Sequence, residues 1–450
     1  MVEGPLLKKI FVYTVPIIFS GILQLLFNAV DLIVVGHFCG EKSLAAVGAT
    51  GALISLIINL FVGLSVGAGI TVARAIGSGD RERAEKAIHT AIPIALIGSV
   101  ILTAIGVPLS STFLKWMGTP DTVIELSTSY LQIYFSGTVF ILLYNFGSAI
   151  LRATGDTARP LFYLIAAGFA NVIFNVFFVT VFHMDVAGVA LATTISNAIS
   201  AILVLFNLIK RTDSCRLEIK KLQIDAKALK SILHIGLPAG ITSSIFSISN
   251  VLIQSSINSF GDLAMSGAAA GASIDGFIYI SMNSFSHTAQ NFVSQNYGAK
   301  KFDRIKKTVL TSSVIVTFVG ILLGLGAYLL SHPLLSIYIK DSEEAIAYGV
   351  TRLKIIGCMY FICGIVETFS GAIRGLGSSL PPTIISFFGV CMFRVFWVYL
   401  IFPMEKFHSL EGIYVSYPIS WLALLIAYAI TFAILFKRRK REHEKIKITN

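Results

Sequence analysis

The segment FNAVDLIVVGHF, residues 27–38, carries a single carboxylate, Asp31, inside an apolar run that begins at Ile10. A charged carboxylate among lipid tails costs about 2.5–3.5 kcal/mol on membrane-insertion scales, so such a group faces a partner or a wet cavity. Gln24 and Asn28 precede it by seven and three residues, and the helical period predicts one shared, inward-pointing face. Asn171 and Asn175, four residues apart, share a face of another apolar run, and Thr193 lies in the next one. Asp275, Glu367 and Arg394 are three further charges within apolar runs. Burial disfavours the ionised form of a carboxyl group and a nearby cation favours it, so a buried acid that alternates between such settings is a proton switch. The amides alone could simply bond helices together, at about 0.6 kcal/mol per contact. A structural contact has no need of a titratable acid, which sets Asp31 apart.

The elements that must position these residues follow from composition. Hydrophobic residues make up 55% of the 450 and charged residues 13%, with a mean hydropathy of +0.80. That balance excludes a soluble single-core globule and predicts an all-α integral membrane protein. A spanning helix needs about 20 apolar residues. Twelve such runs lie near 10–36, 44–72, 88–113, 123–150, 160–182, 186–209, 231–258, 263–291, 308–330, 346–373, 381–402 and 412–436. Of the 35 Lys and Arg, 28 fall at the termini and in alternate connections, so both termini and the central linker are expected in the cytoplasm. Lys42, Lys115, Lys340, Arg352, Lys354 and Lys406 count on the other side, and Arg394 lies within a span. The net charge of +11 then reports topology and attraction to anionic lipid; no nucleic-acid partner is expected. The first apolar run is too long for a cleaved secretory signal and is read as retained.

Several chemistries lack their residues. The five Cys show no CxxC spacing and the eight His no HExxH pattern, so neither a metal nor a disulfide framework is implied. GSGDRERAEK, residues 77–86, has glycines but no P-loop spacing, so nucleotide hydrolysis is not indicated. No enzyme is expected; a membrane-embedded lipid enzyme is the remote alternative.

The chain contains itself twice. LKKIFVYTVP, ending at Pro16, matches LKSILHIGLP, ending at Pro238, and Asn28 lands on Asn250 at the same offset of 222. Gly77 pairs with Gly298 and Arg83 with Arg304 at 221, Arg152 with Arg374 and Pro160 with Pro382 at 222, and Gly188 with Gly412 and Ser196 with Ser420 at 224. An even number of spans per copy makes the repeats parallel, a transporter plan with substrate held near the midplane between the copies. The expected organisation is an N-terminal six-helix lobe (1–209), a cytoplasmic linker (210–229) long enough to let the halves rock, a C-terminal six-helix lobe (230–436) and a basic cytoplasmic tail (437–450). Pro16 and Pro238, inside their spans, permit a bend or mark a static kink. Asn145 and Glu367 are equivalent at 222, each seven residues before an Arg; they should look across a central cavity, which makes both candidate substrate contacts with Gln24, Asn28 and Asp275. Phe27, Tyr279, Met282 and Phe285 could add adaptable apolar wall. Asp275 or Glu367 is expected to neutralise Arg394, since unpaired charge at depth is costly; contact with substrate, or a second coupling site, is the alternative.

The pieces NAVDLIVVG, LRATGDTARP, FANVIFN and AGVALAT in the first half, and SQNYGAKK, IRGLGSSLPP and RVFWVYLIFP in the second, together resemble the multidrug and toxic compound extrusion (MATE) family, from about Lys8 to Phe436. The resemblance implies a secondary antiporter that exports organic cations or amphipathic drugs by alternating access, in exchange for H⁺ or Na⁺ and without a cofactor. It implies a hydrogen-bonded coupling cluster of Asp31, Asn171, Asn175 and Thr193 with a fourth-span tyrosine matched by Tyr130. It also implies a monomer in the plasma membrane, the inner membrane of a bacterium. Two departures weigh against a Na⁺ pattern, and point toward H⁺ or toward a second-lobe site built differently. Some relatives carry a second acid where this chain has Asn175, and one branch has an acid where this chain has Phe246. A flippase of a lipid-linked precursor is the runner-up; it would be expected to have a basic cavity, for which Arg394 is nearly alone.

Overall fold

The computed structural model describes residues 1–339 and 342–449; Lys340, counted above with the sparser set of positive charges, lies outside them. Among the described residues eleven helices are long and apolar enough to cross a membrane, and a twelfth span is a pair bent by 46°. The first half comprises α1 (Leu6–Phe38), α2 (Glu41–Ser78), α3 (Arg81–Trp116), the bent pair α4 (Asp121–Ser136) and α5 (Thr138–Thr154), α6 (Ala158–Thr180) and α7 (Asp185–Lys210). The second comprises α8 (Ala226–Asn258), α9 (Asp262–Gly298), α10 (Phe302–Leu329), the short α11 (Ser331–Ser336), α12 (Glu343–Ile355), α13 (Tyr360–Gly375), α14 (Leu380–Ser386), α15 (Phe393–Phe396) and α16 (Leu410–Thr449).

The duplication extends to the backbone. Gly40 and Gly261, 221 residues apart, each precede a helix with φ of 92° and 91°, a conformation open to glycine and strained for other residues. The fourth span of each half is broken at the same place, since α5 begins at Thr138 and α13 at Tyr360. Continuous spans are expected from hydropathy there; instead Gly137 lets α7 close in on the break, where a Cβ would stand 2.6 Å from Thr194 Oγ1. One asymmetry stands out. The span after α13 contains two wide π-type turns, Phe387–Met392 and Trp397–Ile401, whereas its counterpart α6 is regular. The repeat offset grows from 222 before this span to 224 after it, and the connection that follows it is longer in the second half, residues 402–409 against 181–184.

The chain forms two compact units, Val15–Gly240 on one hand and Met1–Thr14 with Ile241–Asn450 on the other. The boundaries fall within two residues of Pro16 and Pro238, so the stretch of α1 or α8 ahead of the proline packs with the other half's helices rather than its own. Gly236 and Gly240 make this possible in the first unit: a Cβ at either would stand 2.6 Å from the backbone of α2, at Leu64 Cα and Leu60 O respectively. Such backbone contact needs small residues.

The linker is docked on α3 rather than free. His89 Nε2 accepts from the Glu218 N–H at 3.0 Å, Thr90 Oγ1 accepts from the Asp225 N–H at 3.0 Å, and Lys221 pairs with Glu85 at 2.9 Å. Cys215 and Leu217 are buried with the α2, α3 and α7 core. These contacts tie the linker backbone to α3, where its length and charge predict a free connection.

Candidate functional site

Three helices of the first unit converge on Asp31. Its position in α1 is buried, 6% exposed. Helices α6 and α7 are joined by a tight turn and pack side by side, and present Asn171, Asn175 and Thr193 to it. Asn175 Nδ2 donates to Asp31 Oδ1 at 2.6 Å, and Thr193 Oγ1 donates to Asp31 Oδ2 at 2.9 Å. Asn175 Nδ2 also donates to Asn171 Oδ1 at 3.1 Å, while Asn171 Nδ2 donates to Thr193 Oγ1 at 3.3 Å. Among the described residues every hydrogen bond to Asp31 is thus received by its carboxylate, and Asn175 Oδ1 is left buried without a partner. The sequence-expected quartet is assembled. Tyr130, on α4, is buried beside Val34 and Val35 of α1 and stacks with Tyr134 at 6.3 Å. It feels the Asp31 charge, but its hydroxyl makes no hydrogen bond to Asp31 among the described residues.

Gln24 and Asn28 do not join this network. Both are exposed. Three residues advance a helix by about 300°, which leaves about 60° between Asn28 and Asp31, enough for one to turn into the helix bundle and the other to stay on its margin. Asn145 is half-buried and bonds its own helix, Nδ2 donating to Ile141 O at 2.8 Å. Met282 is fully buried under Gly364, where a Cβ would lie 2.6 Å from its Sδ, and Phe285 is buried as well. They are packing, not adaptable wall.

The charges of the second unit pair differently from the expectation. Asp275 Oδ2 accepts from Arg352 Nε at 2.7 Å, and both side chains are buried. Arg352, counted from the charge pattern with the six positive residues on the non-cytoplasmic side, is buried inside the bundle. Its position seven residues into the 346–373 apolar run was the available signal. Glu367 accepts from Asn283 Nδ2 at 3.4 Å, and Arg374 is its leading opposite charge. Arg394 pairs with neither acid. It is 2% exposed, donates from Nη1 to Asn250 Oδ1 at 2.8 Å and lies 4.2 Å from the Tyr417 ring centre. The geometric reason is rotation: α9 turns Asp275 toward α12, and Arg352 reaches it first.

No group of three or more His, Cys, Asp or Glu side chains that could hold a metal ion occurs among the described residues. The Asp31 cluster instead offers one carboxylate with carboxamide and hydroxyl oxygens.

The model of the MatE family matches the chain twice, over residues 16–177 and 238–400. The chain belongs to the MatE family. The two matches start at Pro16 and Pro238, the prolines that anchor the internal repeat. Relatives of this MatE protein include a probable multidrug resistance protein of Bacillus subtilis, YoeA, 27% identical over 96% of this chain and 95% of its own. Another is a probable multidrug resistance protein of Thermotoga maritima, NorM, 25% identical over 95% and 91%. In fold the chain is similar to an outward-facing multidrug resistance MATE transporter, with a TM-score of 0.91 at 22% identity and 98% of each chain covered. The chain is therefore a multi-pass membrane protein of a multidrug efflux transporter family, and its relatives are transporters, not enzymes.

Proposed function

We propose that this MatE protein exports organic cations or amphipathic compounds in exchange for protons by alternating access, with Asp31 as the coupling group, and that its termini face the cytoplasm. The observation that carries the reading is a lone buried carboxylate surrounded only by donors, beside an orphaned acceptor, Asn175 Oδ1. The ionised carboxylate uses the Asn175 and Thr193 donors. Once a proton forms an O–H bond on Asp31, that oxygen has a hydrogen to donate, and rotation of the Asn175 carboxamide turns Oδ1 toward it. The same rotation removes an N–H from Asp31 and disturbs its bond to Asn171, so protonation is coupled to the α6–α7 contact. A proton supplies about 1.4 kcal/mol per pH unit, plus about 2.3 kcal/mol per 100 mV for a charge moved. Na⁺ is the second reading, supported by the oxygens of Asp31, Asn171, Asn175 and Thr193, but it requires both amides to reorient and finds only one formal negative charge.

The test is ethidium transport into inside-out vesicles, with the pH gradient and the Na⁺ gradient collapsed separately. Wild type should stop with the pH gradient alone, and Asp31→Asn should lose uphill transport. Uphill transport by Asp31→Asn at the wild-type rate would refute the coupling role; dependence on Na⁺ alone would transfer it to the second reading.

A further inference from the structure

The polar centres of the two halves carry opposite charge. The repeat places Asn250 opposite Asn28 at an offset of 222, and Tyr417 opposite Thr193 at 224. Arg394 lies in the span equivalent to α6, the helix that carries Asn171 and Asn175 in the first half. Where the first half gathers amides and a hydroxyl around an acid, the second gathers an amide oxygen and a phenol ring around a guanidinium. The position equivalent to Asp31 is Ile253, so the repeat supplies no counter-ion.

Nothing else does. No carboxylate of the described residues lies within 4.0 Å of Arg394. Asp275 is held by Arg352, and Glu367 by Asn283. The strongest electrostatic neighbours of Arg394 are Tyr417, Cys363, Tyr360 and Arg352, and its Nε is buried without an acceptor among the described residues. A buried guanidinium with one neutral acceptor is a costly arrangement, and a guanidinium is the side chain best shaped for a planar oxyanion. The surroundings are aromatic: Tyr360 lies 5.1 Å and Tyr417 6.0 Å from the ring of Trp421.

We propose that Arg394, with Asn250 and Tyr417, forms an anion site in the second unit that receives the carboxylate of an aromatic substrate. The word substrate rests on the transport reading above; the anion site does not. The cargo is then amphoteric, with a carboxylate held at Arg394, rather than a simple cation.

The primary measurement is the thermal unfolding midpoint of the purified full chain in detergent, titrated with sodium benzoate against sodium gluconate at equal ionic strength, with sodium chloride as a third arm. Benzoate should raise the wild-type midpoint saturably. Asn250→Asp places an internal carboxylate against Arg394, so it should fold, unfold at a higher midpoint without ligand, and weaken the benzoate response by roughly tenfold or more. Arg394→Gln should lose the response and Asp31→Asn should keep it. A wild-type midpoint equal in benzoate and gluconate, or an undiminished response in Asn250→Asp, overturns the site. Stabilisation by chloride but not benzoate overturns its assignment to a substrate carboxylate. In vesicles, wild type should move rhodamine B in preference to its methyl ester, and Asn250→Asp should show no preference. Equal transport of both dyes by wild type also overturns the substrate assignment. If benzoate binds yet a proton gradient drives neither dye, the transport reading fails while the anion site stands.

Discussion

The buried pair between α9 and α12 makes a quantitative claim on stability. Asp275→Asn keeps the shape of the side chain and removes its charge, leaving Arg352 buried without a counter-ion. Breaking a buried pair by deleting one partner costs about 3–5 kcal/mol. The geometry argues for the lower end, about 3 kcal/mol: a single N–H···O contact of 2.7 Å joins the two groups, and Asp275 Oδ1 has no donor. Arg352 also keeps the faces of Tyr414 at 5.5 Å and Tyr417 at 6.0 Å in the variant, which together retain part of its stabilisation. Replacing both residues, Asp275→Leu with Arg352→Met, removes both desolvation penalties and should return the protein to within about 1 kcal/mol of wild type. The assay is a double-mutant cycle of wild type, Asp275→Leu, Arg352→Met and the double variant, with Asp275→Asn measured beside it, on unfolding of the purified protein in mixed micelles, followed by tryptophan fluorescence. A coupling energy near zero, with the double variant as unstable as the sum of the singles, would refute the reasoning.

Two predictions concern the docked linker. Burial, reinforced by the Asp213 charge, pushes the Cys215 thiol up to about 11, so at pH 8 it is almost wholly protonated, and it should react with iodoacetamide far more slowly in the folded protein than after denaturation; equal rates would contradict the buried position. His89 Nδ1 is 2.8 Å from Glu85 O and Nε2 accepts from the Glu218 N–H, so His89→Phe should leave that half-buried amide without its acceptor and raise hydrogen exchange around residues 216–225, with unchanged exchange arguing that the clamp is not formed in solution.

Some of this protein was readable along the chain because it depends on neighbours in sequence. Span number follows from apolar run length, and the duplication from matching motifs. The assembly of Asp31 with Asn171, Asn175 and Thr193 was legible through the family resemblance, with the i, i+4 spacing of the two amides placing them on one face. The breaks at Gly137 and before Tyr360 were not, because both lie inside runs whose hydropathy is uninterrupted.

What the tertiary structure alone decided is which charges meet. Asp275 and Arg352 are 77 positions apart, and no local pattern states how far α9 and α12 are rotated about their axes. A turn of about 60° separates an inward Asp31 from an open Asn28, and the facing of α9 toward α12 gives Asp275 to Arg352 while Arg394 is left to an amide and a ring. Helix formation is set residue by residue through backbone hydrogen bonds, but ion pairing in a low-dielectric bundle is set by direction and a few ångströms of distance. Sequence therefore specified the helices and the polar groups they carry, and packing selected the partners.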